Sequence, residues 1–336
     1  SASAALSYDL DLAGANQRQL EALAAQVDYQ GFQLQAARLN LVTQLALTAI
    51  SQAQLSAQIR STQQVIELQE AQLAITLKRL QAGAGTRQEL LALQNQIDQL
   101  KSGLPALRSR WEQTRHLLAV LAGRPPSDPD MPVFQLADFS LPATLPLNVP
   151  SELLRKRPDV RAAEALLQAA TAQYGAAEAR RYPQLTLSAS LGSQALTAAS
   201  LFGSGSAVWG IGAQLTQPLL NPGLKPAAQA AAAGMEAARA NYQYTVLQAL
   251  RHVADLLRAL EADGLAQQSA RQAADSASEL LRLVGEQYRL GAASYLQLLQ
   301  AQQSSQLVEQ ASIDYQARRL ANSVAFYQAM GGGMVP

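Results

Sequence analysis

The chain has 336 residues, of which 49% are apolar, 15% charged and 5% aromatic. Its 26 basic and 25 acidic side chains leave a formal net charge of +1, which gives no global field for nucleic acid or an anionic surface. With no cysteine and two histidines, His116 and His252, the chain offers no disulfide, no thiolate nucleophile and no Cys- or His-rich metal site.

In chain order, residues 5–12 alternate Leu6, Tyr8, Leu10 and Leu12 against Ser7, Asp9 and Asp11, which predicts a half-buried strand. A helical hairpin over 16–122 follows. From Asn16 to Ala82 there is no proline and a single glycine, Gly31. Two series at seven-residue spacing run through it: Leu20, Val27, Leu34, Leu41, Thr48, Leu55, Thr62, and Leu45, Gln52, Ile59, Ile66, Leu73, Leu80. These are the two positions of a heptad seam. A continuous helix of that span is about 100 Å long. The tip at 83–87 breaks it at Gly83, and Thr86 is suited to cap the next helix. That returning helix ends near Gly123, with a kink expected at Pro105.

Residues 124–150 form a proline-rich connector, with prolines at 125, 126, 129, 132, 142, 146 and 150, and are read as an extended strap. A helix over 151–182 is predicted to start at a Ser151 cap, with Glu152 in its first turn. Residues 184–217 read as a hairpin of two strands. One alternates Leu185, Leu187, Ala189, Leu191 and the other Trp209, Ile211, Ala213, Leu215, each against small or polar residues. A second helical hairpin covers 224–330, with a tip at 291–295, and 332–336 form a tail. Its seams read Tyr242, Ala249, Leu256, Asp263, Ala270, Ala277, Val284 and Val246, Val253, Leu260, Gln267, Ala274, Leu281, Tyr288.

The two halves are copies. Ala36-Ala37-Arg38-Leu39-Asn40 recurs as Ala237-Ala238-Arg239-Ala240-Asn241, Gly83-Ala84 as Gly291-Ala292, and Gly123 as Gly331. The chain thus divides into a first repeat over 1–123, incomplete, the connector, and a second repeat over 151–331. Strands whose apolar face carries Leu6, Tyr8, Leu10, Leu12, Leu185, Leu187, Leu191, Trp209, Ile211 and Leu215 fit a lipid-facing membrane barrel. A sandwich strand gives the same alternation. No stretch approaches the roughly 18 apolar residues of a spanning helix, so membrane contact must come through strands or an anchor outside this chain. Neither histidine stands in a catalytic spacing, and no Walker loop or His-Glu-x-x-His occurs. No enzyme and no cofactor is therefore expected. Arg155-Lys156-Arg157 and Arg180-Arg181 read as helix-end neutralisation rather than a nucleic-acid surface.

The run Leu153-Leu154-Arg155-Lys156-Arg157-Pro158-Asp159-Val160-Arg161-Ala162-Ala163-Glu164 resembles the TolC-like outer-membrane efflux factors, in the branch serving resistance-nodulation-division pumps. So do Ala176 to Leu185, Tyr288-Arg289-Leu290-Gly291-Ala292-Ala293-Ser294-Tyr295-Leu296 and the opening Ser7 to Leu12. The resemblance implies a mainly α fold with membrane β: long coiled-coil hairpins forming a periplasmic tunnel, and strands of one barrel shared by a homotrimer in the outer membrane. It implies a passive duct working with a periplasmic membrane-fusion adaptor and an inner-membrane transporter. The tips, Gly83, Ala84, Gly85, Thr86, Arg87 and Gly291, Ala292, Ala293, Ser294, Tyr295, match the adaptor-contacting places. Glu89, Tyr288, Gln297 and Gln300 match places at the aperture, where the family often carries aspartates. Glu89 also reads as an ordinary solvated side chain near a tip. The resemblance further implies a leading helix, a fourth strand and a lipobox cysteine before Ser1, so the sequence reads as N-terminally truncated. Two rival readings are a soluble periplasmic coiled-coil adaptor or scaffold and a secretion channel of the same architecture.

Overall fold

The computed structural model describes residues 1–141, 155–197 and 201–332. Four helices dominate them. Helix α1 spans Ala15–Gln81 and α2 Arg87–Leu121; after the shorter α3, Pro158–Ala179, come α4, Leu224–Arg289, and α5, Tyr295–Ala329. The two long pairs match in length, 67 and 35 residues in the first against 66 and 35 in the second. Three strands, β1 Ala2–Asp9, β2 Gln184–Ser193 and β3 Ala207–Thr216, form an antiparallel sheet in the order β1-β2-β3. No described helix is long and apolar enough to cross a membrane. The described residues group into two compact units, Ser1–Ala36 with Leu154–Ala249, and Ala37–Leu153 with Leu250–Pro336.

In the first unit, β1 lies three residues earlier than the alternation predicted. The cause is Asp11. Instead of continuing the polar face of the strand, it takes φ +46° and turns its carboxylate onto the start of α1. The amides of Asn16 and Gln17 donate to its two oxygens at 2.9 and 2.8 Å, satisfying two of the donors that every helix start leaves open. Leu10 still donates its N–H to the Leu185 carbonyl, but Leu12 lies in the turn. Helix α3 packs antiparallel on the start of α1. Arg161 lies over the Phe32 ring at 5.3 Å, and a side chain at Gly175 would meet Arg18 at 3.3 Å. The contact is built from small residues: Ala22 and Ala25 of α1, and Ala165, Ala169, Ala172, Ala176 and Ala179 of α3, are all buried.

That packing corrects the seam reading in this stretch. Leu20, Val27, Leu34 and Leu41 keep their heptad spacing but are exposed, Leu20 at 67% and Val27 at 71%. Heptad spacing identifies residues that share a face. Here the intramolecular contact falls on the alanine face instead, and the leucine face has no cover within the described residues.

The start of α3 explains the Arg-Pro-Asp run. Pro158 occupies the first turn, where its missing N–H costs nothing. Arg157 grips the Asp159 carboxylate through two bonds of 3.0 and 2.7 Å, and the Val160 amide donates to the same carboxylate at 2.9 Å. Partial burial pushes the Asp159 carboxyl up, but Arg157 and the backbone donors outweigh it and hold it below the ordinary range. The expected Ser151 cap lies outside the described residues.

In the second unit the seam holds. Val253, Leu256, Leu260, Ala270, Ala277 and Tyr288 of α4 are buried, as are Thr48, Gln52, Thr62, Ile66, Gln69 and Thr76 of α1. The buried threonines return their hydroxyls to their own helix: Thr48 to the Gln44 carbonyl, Thr62 to Gln58 and Thr76 to Gln72. Between helices, Asp314 accepts from Gln54 and Gln58 at 2.9 and 2.8 Å, while Asp263 accepts from Asn322 and Gln267 from Arg319. Pro105 lies inside α2 without ending it. The described part of the connector, 124–141, is more than an extended strap. It makes a 3-10 turn at Leu136–Asp138 and inserts Met131, Phe134, Leu136 and Phe139 among Ala49, Ile50, Ala53, Leu118, Ile313 and Leu320. The buried Gln52 carbonyl oxygen holds it, accepting from the Phe134 amide at 3.1 Å. Residues 142–150 of the connector and 333–336 of the tail lie outside the described residues.

The two amide donors hold the Asp11 carboxyl below its ordinary value of about 3.9. A lowered folded-state value means that the stabilisation is complete above the unfolded value and is lost only as pH falls through the folded one. The Asn16 and Gln17 amides should therefore stay protected from hydrogen exchange at pH 4 and lose protection below it. In Asp11→Asn the pH dependence should vanish.

Candidate functional site: a one-sided apolar sheet and a pair of helical tips

The strand register gathers the apolar side chains on one face. Leu6 pairs with Ala189 and Ala189 with Ile211; Tyr8 pairs with Leu187 and Leu187 with Ala213; Leu185 meets Leu215 and Leu191 meets Trp209. The opposite face pairs Asp9 with Thr186, Ser7 with Ser188 and Ser188 with Gly212. There the Thr186 hydroxyl donates to the Asp9 carboxylate at 2.6 Å. Because side chains alternate strictly along a strand, a one-residue slip would mix the two sets. The register keeps the two sets apart, with Ser193 and Val208 as exceptions near the strand ends. Leu6, Trp209 and Ile211 are more than 70% exposed, so the apolar face has no cover within the described residues. Of the predicted apolar series, Leu6, Tyr8, Leu185, Leu187, Leu191, Trp209, Ile211 and Leu215 share this face, whereas Leu10 and Leu12 follow the end of β1.

The two tips, both in the second unit, have one construction. At the first, Gly83 takes φ +74°, its N–H bonds to the Leu80 carbonyl, and the Ala84 N–H bonds to Arg79. At the second, Gly291 takes φ +77°, with matching bonds to Tyr288 and Gln287. This paired closure is the Schellman motif, and it needs a residue that tolerates positive φ. Thr86 then caps α2 by accepting from the Glu89 amide at 3.2 Å. Ser294 caps α5 reciprocally: its Oγ accepts from the Gln297 amide at 3.3 Å, while the Gln297 side chain accepts from the Ser294 amide at 2.7 Å. Gln297 is therefore committed to its own helix start, whereas Gln300 is exposed.

Aromatic and charged groups join the tips. Tyr288, only 5% exposed, packs against Tyr295 with ring centroids 6.3 Å apart and lies beneath the Arg79 guanidinium at 5.0 Å. Arg79 also reaches the Ala84 carbonyl at 3.4 Å. Burial pushes both phenols above their ordinary value. Arg79 and Thr76 pull Tyr288 back, while Glu89 raises both. Tyr288 is thus the pivot between the hairpins, in contact with α1 and α5. Arg79 was not among the residues singled out in the sequence, although its place one turn before Gly83 and the recurrence of the tips were available signals. The remaining tip residues Gly83, Ala84, Thr86, Arg87, Gly291 and Ala292 are exposed, and Gly85, Ala293 and Glu89 are half-buried.

Residues 149–332 match the family model for outer membrane efflux protein. The pyoverdine export outer membrane protein OpmQ of Pseudomonas putida is 31% identical over 328 residues, covering 97% of this chain and 69% of that protein. The chain belongs to the outer membrane efflux protein family. The outer membrane protein OprJ of Pseudomonas aeruginosa is likewise 31% identical, over 97% of this chain and 68% of its own. Among solved structures, the open state of the MtrE outer membrane channel of Neisseria gonorrhoeae superposes with a TM-score of 0.89 at 30% identity, covering 98% of this chain and 74% of that one. The fold is that of a TolC-like channel. As a member of the efflux family the protein is an outer-membrane channel component, a passive duct and not an enzyme. The family match takes in α3, the β2–β3 hairpin and the second tip, the segments in which the Arg-Pro-Asp cap, the one-sided sheet and the Schellman closure were described.

The tip geometry makes Tyr288→Ala the costly substitution. Removing a buried aromatic ring should cost about 3–5 kcal/mol and free Arg79. Tyr288→Phe should keep most of that packing. Thermal unfolding and trypsin cleavage at Arg79 and Arg87 measure the difference. Because burial disfavours the phenolate, raising pH above about 10 should loosen the wild-type tips and leave those of Tyr288→Phe less affected.

Proposed function

We propose that three copies of this chain form one continuous duct, joined in the outer membrane by their sheets and in the periplasm by their helices, and that the duct works with a membrane-fusion adaptor and an inner-membrane transporter of the resistance-nodulation-division type. The observation that carries this reading is the sheet. One face is apolar but for Ser193 at its end and is uncovered, the other is mostly small and polar, and β1 and β3 are both edge strands among the described residues. Lipid covers such a face, and pairing with neighbouring copies satisfies such edges. The exposed Leu20, Val27, Leu34 and Leu41 stripe on α1 supports the same assembly, because a leucine stripe on a long helix calls for a partner helix.

The tips 83–87 and 291–295 are the surfaces offered to the adaptor. Tyr288 sets their spacing, and the exposed backbone turns and Arg87 are available for contact. Glu89, repeated three times around the axis, forms a narrow anionic ring. Gln297 and Gln300 add no charge to it. Cargo is chosen at the pump, since a wall of alanine, glutamine and serine carries little that could distinguish one solute from another.

The protein should run as a trimer in native mass spectrometry when detergent is present, and only then. Leu187→Arg, placed on the apolar face, should cost about 2–4 kcal/mol of insertion energy and abolish membrane insertion. Ser188→Arg on the other face should insert normally. A detergent-indifferent monomer or dimer overturns the reading. In planar bilayers, Glu89→Gln should reduce the preference for cations over anions; unchanged selectivity removes the anionic ring.

A further inference from the structure

The second unit contains a layer of glutamines that its packing does not otherwise explain. Gln69, in heptad register with Thr62 and Thr76, is 1% exposed, and neither its Nε2 nor its Oε1 has a hydrogen-bond partner among the described residues. The buried Gln72 Nε2, Gln96 Oε1 and Gln302 Oε1 are likewise without partners among the described residues. These four residues come from three helices, yet they occupy one level. Gln69 and Gln72 precede Gly83 by roughly three to four helical turns, and Gln96 and Gln302 follow Gly83 and Gly291 by the same distance. The contacts that fix the helix registers agree: Glu70 pairs with Lys101 at 2.6 Å, Arg79 lies over Tyr288, and Tyr288 packs against Tyr295.

The layer is polar by composition and closed by apolar neighbours. Leu93, Ile97, Leu298 and Ala301, all buried, belong to the same stretch of α2 and α5. Many other buried polar groups of the unit do find hydrogen-bond partners, although the Gln52 Nε2, the Arg115 Nε and the Tyr288 and Tyr295 hydroxyls do not among the described residues. The threonines bond to their own helix, Gln267 accepts from Arg319, and the Gln52 carbonyl oxygen holds the connector. In the glutamine layer two amide donor groups and three carbonyl acceptors are left over, and leaving them unmatched would cost as much as lost hydrogen bonds. Water both donates and accepts, is satisfied by two to four polar partners, and fits where an ion would be excluded by its desolvation cost.

We infer that the Gln69, Gln72, Gln96 and Gln302 layer binds internal water, and that this makes it the deformable level of the interface between the α1–α2 and α4–α5 hairpins. Amides bridged by water exchange partners when one hairpin shifts past the other, whereas interdigitated side chains must unpack. The hydrated layer follows from the residues alone. Its consequence for opening of a tunnel rests on the duct reading given above.

Two measurements on the purified, detergent-solubilised protein test it. A structure at about 2 Å should show water within hydrogen-bonding distance of the Gln69 Nε2 and Oε1; direct amide-to-amide pairing with no water overturns the inference. The fourfold variant Gln69→Leu, Gln72→Leu, Gln96→Leu, Gln302→Leu should slow backbone hydrogen exchange around the layer at least tenfold, at the wild-type oligomeric mass. Unchanged or faster exchange in a variant of native mass overturns the deformable level. If the variant does not assemble, the water density alone decides. Neither readout involves efflux or membrane insertion, so loss of the duct reading leaves both intact, and their failure leaves that reading standing.

Discussion

A helix of 66 or 67 residues cannot be held by local propensity; it needs a neighbour along most of its length. The described structure depends on that constraint and meets it in two ways. Where α3 lies on α1, alanines and a glycine allow close approach, and the larger apolar residues are left facing outward. In the second unit, leucine, valine and threonine alternate with glutamine and aspartate along the seam, so the contact is continuous but not dry. A fully apolar seam of this length would make a rigid rod. A seam interrupted by threonines bonded to their own helix and by amides bonded across it keeps the helices together without locking every level.

Much of this was legible in the sequence, for a physical reason. Periodicity is a local property, and it reported the helices, the heptad seam of α4, the tips and the apolar face of the sheet. Thr86 was legible as a cap because capping chemistry is settled within four residues. What the periodicity could not supply was the identity of the covering surface. Leu20, Val27 and Leu34 look like core in a heptad count, yet they are exposed while α3 covers the adjacent alanines instead. Asp11 looks like one more polar residue of an alternating strand, and only the three-dimensional course of the chain shows it serving the helix that follows. The connector was legible as irregular but not as part of the core, because its anchor, Gln52, lies far away in sequence.

At the candidate site the same division appears. The glycines and caps of the tips could be read directly, and so could the matching of Glu89, Gln297 and Gln300 to aperture places in the family. The commitment of Gln297 to Ser294 gives that position a structural task independent of charge. The joint made by Arg79, Tyr288 and Tyr295 brings together residues from both repeats, so no single stretch of sequence displayed it. For a passive channel this distribution is reasonable. Nothing has to be aligned for bond making, and the functional requirements fall on surfaces, edges and joints.

All four long helices end in the same left-handed glycine turn, at Gly83, Gly123, Gly291 and Gly331. Those turns act as end stops on two measuring rods of equal length, the returning helices α2 and α5, each of 35 residues. A rod that is lengthened alone puts its stop at a new level and misaligns every partner on the other. A change of length that keeps a returning helix's seam on the same face comes in steps of seven residues, and the two stops stay level only when both rods change together.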